Sequence, residues 1–355
     1  MNACFFGSYT PDYPRNKILI DGLEKNGVSV FQCNCLAESA FVRYPQLFKK
    51  FWSIRNQINV IYVGFFGHLD MPLAWLLGRL TGKKVIFDMF YSMYDTYVFD
   101  RRSTKPGSFR AFTYYWIDKI AGTLADCIII DTNTHGKYFQ KLLGLNPQKF
   151  QRVFVGGDDT VFTPRKKKSS KKIIIEFHGM FTRLHGAEYY VKAAKLLENE
   201  KNLKFLLIGS TRNYPLPLEL YRKLRPKNMV YVPELPVNKL AKILSRCDIS
   251  VGHIGVTIKA KSVITNKIFH GLASRVAVIA GDCSASSELL VNGKTAIFTK
   301  MGSVSDLVKN IKLLVFNNSL RKEIAENGFQ LSQLQLTNEK LGKKLFHICN
   351  ELLRN

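Results

Sequence analysis

Twelve short apolar runs recur along the chain, separated by stretches whose apolar residues repeat at three and four, and this alternation restricts the fold to parallel sheets wound with helices. In the first half the runs fall at Ala3–Phe6, Val28–Gln32, Val60–Val63, Lys84–Phe87, Cys127–Ile130 and Arg152–Val155. In the second half they fall at Ile173–Phe177, Phe205–Ile208, Val230–Val232, Ile249–Val251, Val276–Ala280 and Ala296–Phe298. The expected fold class is therefore α/β, with two Rossmann-like doubly wound domains facing a central cleft. A chain of 355 residues exceeds one typical core, which also favours two domains.

The pattern breaks at Val155–Asp159, and Arg165 to Lys172 then holds six cations in eight residues, a block that resists packing. The expected division is a first domain over 1–160, a basic linker over 161–172 and a second domain over 173–330. Helices are expected at Val304–Phe316, Ser319–Asn327 and Leu331–Leu353, and the segment 331–355 is expected to return to the first domain.

The net charge of +25 attracts polyanions. No zinc-finger spacing, ribonucleoprotein motif or basic-zipper pattern accompanies it, so no specific nucleic acid partner is expected. An anionic membrane surface is the expected macromolecular partner. In FVRYPQLFKKFWSIR the apolar residues repeat at helical spacing among cations, which nominates Lys49, Lys50, Phe51 and Trp52 as membrane contacts, the alternative being a core-facing helix with a solvated basic side. The apolar runs are too short to span a bilayer, and the N-terminus lacks a secretory signal pattern. The expected location is cytoplasmic, peripheral at the inner membrane face. Seven cysteines without zinc spacing read as reduced thiols.

The segment TNKIFHGLASRVAVIAGDCSASSELLVNG, Thr265 to Gly293, has the order of a nucleotide pocket. A helix at Asn266–Ala273 precedes a buried strand, and a turn of small residues at Gly281–Ser284 opens a second helix near Ala285–Val291. Backbone N–H groups and a helix N-terminus at a strand's carboxyl end suit a diphosphate or a sugar. Such a site could hold its ligand without a metal, and no cofactor is expected.

Several segments together resemble family-4 retaining glycosyltransferases of GT-B fold, the group 1 glycosyl transferases. They are FHGMFTRLHGAEYYVKAAKLL and KAKSVITNKIFHGLASRVAVIAGDCSASSELLVNG in the second half, and FFGSYTPDYPRNKILIDGLEKNGV and VGFFGHLDMPLAWLLGRLTGKKVIFDMFYSMYDTYVFDRR in the first. The resemblance implies transfer of a sugar from a nucleoside diphosphate sugar to a lipid-linked or polysaccharide acceptor, with retention and without a metal. It implies donor-binding positions at Gly7, Ser8, Arg15, Gly179, Gly186, Asn266, Lys267, His270, Gly281, Asp282 and Ser284.

Two departures stand out. Met180 and His185 occupy the positions of the family's Arg and Lys, and Ser262 and His270 those of its two glutamates, the second of which accepts from ribose hydroxyls. Arg183 is expected to restore the missing cation, beside His185. Where the family often places a histidine after the fourth strand, this chain has Asp88, expected to orient the acceptor hydroxyl or act as base. His68 and Asp95 are expected to line the acceptor side of the cleft. The alternative is a catalytically weakened GT-B subunit that binds a partner or membrane lipid.

Overall fold

The computed structural model describes residues 1–165, 172–212 and 214–354, which form two compact units, Met1–Phe154 with Asn338–Asn355 and Val155–Thr337. The first unit runs β1 (Asn2–Gly7), α1 (Pro14–Lys25), β2 (Ser29–Asn34), α2 (Ala40–Ile54), β3 (Val60–Val63), α3 (Met71–Thr81) and β4 (Lys84–Asp88). It continues through α4 (Phe109–Leu124), β5 (Cys127–Ile130), α5 (Asn133–Leu143) and β6 (Phe150–Arg152). The strands β1 and β3 to β5 are almost wholly apolar because helices cover both faces of their sheet. Local chemistry sets the helix ends. Pro14 and Pro72 stand at helix starts, the Ser108 and Thr132 hydroxyls accept the N–H groups of Ala111 and His135, and Gly82 and Gly144 close α3 and α5 in the left-handed conformation.

The sheet is parallel with order β2-β1-β3-β4-β5-β6, Phe6 lying level with Cys33 on one side and Val63 on the other. The first crossover runs in one direction and the later ones in the other, so right-handed connections put α1 on one face and α2 to α5 on the opposite face.

The second unit runs β7 (Ile173–Met180), α6 (Ala187–Leu196), β8 (Leu203–Ser210), α7 (Leu216–Leu224), β9 (Met229–Val232), α8 (Val237–Leu244) and β10 (Ile249–Val251). After these come α9 (Ile258–Ser262), α10 (Asn266–Ala273), β11 (Ala277–Gly281), β12 (Ile297–Thr299), α11 (Val304–Phe316) and α12 (Asn318–Gln335). Its sheet is also parallel, in the order β12-β11-β10-β7-β8-β9. The last helix, α13 (Asn338–Arg354), lies against α1 in the first unit.

Three expectations change. The chain passes between units at Phe154–Val155, upstream of the expected basic linker over 161–172. Phe162 of that segment is buried in the second unit with Leu244, Cys247 and Ala273, while residues 166–171 lie outside the described residues. The expected break between helices at 327–331 moves to Leu336–Thr337. Gly328 is an interior packing position of α12, since a Cβ there would stand 2.7 Å from Leu272 Cδ2. The expected helix near Ala285–Val291 is a single 3₁₀ turn, Ser286–Glu288. Its growth is checked because the Ser286 hydroxyl donates to the Gly281 carbonyl at 2.8 Å and the Val291 N–H donates to Thr295 Oγ1 at 2.8 Å.

The contact between α1 and α13 depends on two facing glycines. A Cβ on Gly22 would stand 2.9 Å from Gly342 Cα and closer still to the Asn338 carbonyl oxygen. Gly22→Val is expected to force the two helices apart and to lower stability by about 1–3 kcal/mol. Thermal and denaturant unfolding measure this, and an unchanged midpoint would show that α13 adds nothing to the first unit.

Candidate donor site in the second unit

Both units are parallel sheets with polar side chains at the carboxyl ends of their strands, where such folds hold ligands. They differ in how those side chains are compensated. In the first unit, charge meets charge internally. Asp88, at the end of β4, has no exposed surface and accepts from Arg15 Nε at 2.8 Å and from the Tyr62 hydroxyl at 2.8 Å. Arg15 is itself buried and donates through Nη1 to the Val153 carbonyl at 3.1 Å. Next to β1, the Asp70 carboxylate accepts the Ser8 N–H at 2.7 Å, the Ser8 hydroxyl at 2.8 Å and Arg43 Nε at 2.6 Å. Gly7 is needed beside it: its φ is +118°, and a Cβ there would meet Asp70 Oδ2 at 2.8 Å.

These pairings correct the expectations for the first unit. Asp88 and Arg15 neutralise one another, so neither presents a free base or a free phosphate-binding cation. Gly7 and Ser8 are committed to Asp70. His68 is buried, its Nε2 2.9 Å from the Tyr91 carbonyl oxygen and 3.5 Å from Asp118, and burial lowers its pKa. Asp95 is buried and accepts the Tyr138 hydroxyl at 2.8 Å. Asp70 and Arg43 went unnoticed in the sequence because nothing local marks an aspartate before α3 and an arginine on α2 as partners.

In the second unit positive and neutral groups gather instead. Lys267, in the first turn of α10, is buried with its Nζ 4.8 Å from the centre of the Phe177 ring and 3.6 Å from where a Gly179 Cβ would stand. Burial pulls its pKa down to about 7, partly opposed by Glu176. That carboxylate is engaged elsewhere: one oxygen accepts the Ser250 hydroxyl and the other lies 2.8 Å from His178 Nδ1. Around the ammonium stand imidazoles held neutral. Burial, followed by Lys267, lowers His253 to about 3 and His185 well below its usual range. His270 is lowered too, by burial and then by His178 and Lys267.

A hydrogen-bonded chain runs from the sheet to this site. His178, two residues after Glu176 on the same face of β7, reaches His270 Nδ1 through its Nε2 at 3.0 Å. The His270 ring stacks on Phe162 with centroids 3.8 Å apart and planes 9° apart. With Nδ1–H of His178 directed at the carboxylate, the proton between the rings is donated by His270, which leaves His270 Nε2 as an acceptor.

Two helix starts accompany these side chains. Gly186 precedes α6 with φ of +70°, and a Cβ there would strike the Gly255 N at 2.6 Å. Thr265 precedes α10, beginning at Asn266, and neither helix has a side-chain cap bond, so first-turn N–H groups remain unsatisfied by side chains. Lys267, Gly179, His185, Gly186 and Asn266 are thus brought toward the same strand ends as His270.

Other expected donor residues are placed differently. Arg183 is exposed, its guanidinium 5.5 Å from the Tyr214 ring centre, so the buried cation of the site is Lys267. Gly281 packs tightly, a Cβ there falling 2.6 Å from the His253 carbonyl oxygen. The Asp282 N–H is taken by the Thr299 carbonyl at 2.8 Å, and the side chains of Asp282 and Ser284 are exposed. With only a 3₁₀ turn following, this loop is a weaker anion site than its sequence suggests. Glu176, His178 and Phe162 were missed, although the Glu-x-His alternation inside the apolar run IIIEFHGM is a readable sign of a polar strand face.

On α2, Lys49, Lys50 and Trp52 are exposed, but Phe51 is fully buried in the core beneath and makes no membrane contact.

Residues 159–331 match the family of glycosyl transferases group 1. The chain is 21% identical over 215 residues to N,N'-diacetylbacillosaminyl-diphospho-undecaprenol alpha-1,3-N-acetylgalactosaminyltransferase of Campylobacter jejuni, a match covering 61% of this chain and 54% of that protein, so it spans about half the length of that relative. Among solved structures, Anabaena HepE in complex with UDP and glucose superposes with a TM-score of 0.73 at 12% identity, over 99% of this chain and 100% of the other. Sucrose-phosphate synthase from Thermosynechococcus elongatus gives 0.75 at 13% identity over 99% of each chain. At such identities these structures speak to the fold, which is GT-B.

Proposed function

We propose, from the match of residues 159–331 to the group 1 glycosyl transferases, that the chain moves a sugar from a nucleoside diphosphate sugar to a glycan or lipid-linked acceptor, with retention and without a metal. The observation that carries this reading is a buried ammonium, Lys267, set among neutral imidazoles at the strand ends, with its neighbouring carboxylate already occupied. A diphosphate supplies the missing counter-charge.

In this reading the Lys267 ammonium and the uncapped N–H groups of α6 and α10 take up charge as the diphosphate departs. His185, neutral, contributes an N–H rather than a charge. His270 Nε2, fixed as an acceptor by the Glu176–His178 chain, receives a ribose hydroxyl. The alternative, a weakened subunit, draws its support from Met180, which is exposed where the family resemblance places a cation.

UDP is the first nucleotide to try, because HepE has been solved with it. The test incubates the chain with UDP-, GDP- and ADP-sugars, with and without EDTA, and follows nucleotide release and the anomeric configuration of the product by NMR. The expected result is turnover of one donor class, unaffected by EDTA and with configuration retained. Donor binding without turnover would favour the weakened subunit, and failure to bind any donor would overturn both readings.

A further inference from the structure

The strand order of the first sheet reverses between β1 and β3, and the loops that follow these two strands leave toward opposite faces, opening a crevice at the carboxyl ends. The loop after β1, residues 8–13, and the loop after β3, residues 64–69, are fastened to one another. Asn16, buried, donates through Nδ2 to the Thr10 carbonyl at 3.0 Å and accepts the Phe65 N–H at 3.0 Å. Tyr9 packs so close to Gly64 that a Cβ there would meet its ring at 3.0 Å. The loop after β4 is tied in by His68, whose Nε2–H donates to the Tyr91 carbonyl at 2.9 Å.

On this fixed frame one residue stands against its own backbone preference. The Gly67 N–H bonds to the Gly64 carbonyl at 2.8 Å, and Phe66, third of the four turn residues, has φ of +80° and ψ of 11°. These are the values of a turn position that ordinarily takes glycine. A phenylalanine there is strained, and it is 50% exposed, so burial does not account for it. Its surroundings are aromatic: the Phe65 ring adjoins it with centroids 3.9 Å apart, and Tyr13 and Tyr91 stand edge-on at 6.1 and 5.4 Å. The crevice loops also lack cations. A chain with 52 Lys and Arg places none of them in residues 8–13, 64–69 or 89–94. Arg15 and Arg43 are paired with Asp88 and Asp70, and Asp12 is exposed in the first loop.

We propose that Phe66, flanked by Tyr13 and Tyr91, is a stacking platform for the ring of a neutral sugar. That this sugar belongs to the acceptor rests on the transfer reading; the platform itself does not. The C–H bonds along one face of a pyranose are weakly positive and lie against the negative face of an aromatic ring, while the hydroxyls at its rim remain free to hydrogen-bond. A phosphate group would call for a cation, which these loops do not supply. A bare hydrocarbon chain would desolvate the Asp12 carboxylate without pairing it, whereas a sugar hydroxyl can donate to it.

The test is saturation-transfer NMR on the full-length protein without nucleotide, using the methyl β-glycosides of glucose, galactose and N-acetylglucosamine, with geraniol and inorganic phosphate as further probes. At least one glycoside is expected to receive saturation, strongest on the ring protons of a single face. Phe66→Gly is expected to weaken this binding about tenfold, yet to leave the thermal midpoint unchanged or raised, because glycine suits the left-handed position. Phe66→Trp keeps an aromatic face and is expected to keep binding, whereas Phe66→Leu, apolar without a ring, is expected to lose it. No signal from any glycoside, parent-like binding by Phe66→Leu, or a geraniol or phosphate signal that disappears in Phe66→Gly would each overturn the platform. A lowered midpoint with glycoside binding intact would make Phe66 a packing residue and overturn it as well. Nucleotide binding is measured separately: its absence beside an intact glycoside signal overturns the transfer reading and leaves the platform standing.

Discussion

Lys267→Met is expected to abolish nucleotide binding while making the protein more stable. A lysine whose pKa is pulled from its ordinary value to about 7 by burial is held at a cost to the fold, and a methionine of similar length fills the same space beside Phe177 and Gly179 without it. The sign with pH follows from linkage. Between about 7 and 10.5 the unfolded chain binds the proton that the native amine has released, so this group makes wild-type stability rise with pH across that window. The advantage of the variant, about 1–3 kcal/mol, should be greatest below pH 7 and fade toward pH 10.5.

Ligand binding should show the opposite trend. UDP is fully ionised above pH 7, its last phosphate pKa being about 6. Its affinity for the wild type is therefore expected to fall by up to about tenfold per pH unit as the ammonium is lost, with proton uptake on binding detectable by calorimetry in buffers of different ionisation enthalpy. A flat affinity between pH 7 and 9, or a variant that binds UDP normally, would remove Lys267 from the site.

Asp88→Asn is expected to be the most damaging single change in the first unit. It leaves the Arg15 guanidinium buried without its counter-charge, and breaking a buried pair from one side costs about 3–5 kcal/mol. Should this variant fail to fold, the double change Arg15→Met with Asp88→Leu keeps the measurement available. Replacing both partners by apolar groups is expected to recover most of the loss, because a buried pair is worth far less in total than the penalty for halving it. Equilibrium denaturation of both variants decides the matter. If Asp88→Asn unfolds like the wild type but loses sugar transfer, Asp88 returns to the candidate catalytic residues.

Most of the architecture was legible in the residues. Each of the twelve strands overlaps one of the expected apolar runs, β6 only at Arg152, and α10 and α11 occupy Asn266–Ala273 and Val304–Phe316 as their periodicity indicates. Lys267 was nominated through the resemblance of its segment, KAKSVITNKIFHGLASRVAVIAGDCSASSELLVNG, to the family's donor loop and helix. The errors concentrate where a residue's meaning is set by a distant partner. Asp88 and Arg15 look like open site residues beside their own strands, but they stand 73 positions apart in sequence and meet as a closed pair. His178 and His270 are 92 positions apart, and only their 3.0 Å contact turns a histidine in a glutamate's place into one end of a hydrogen-bonded chain.

The sequence alone determined the periodicities, and with them two parallel sheets and their covering helices, because the spacings of 2 and 3.6 residues are local properties of the backbone. It also determined the excess of positive charge. Only the tertiary structure decided which charges are cancelled and which are left to meet a ligand, since the desolvation and pairing that set a side chain's electrostatics depend on neighbours brought together by the packing of the sheets.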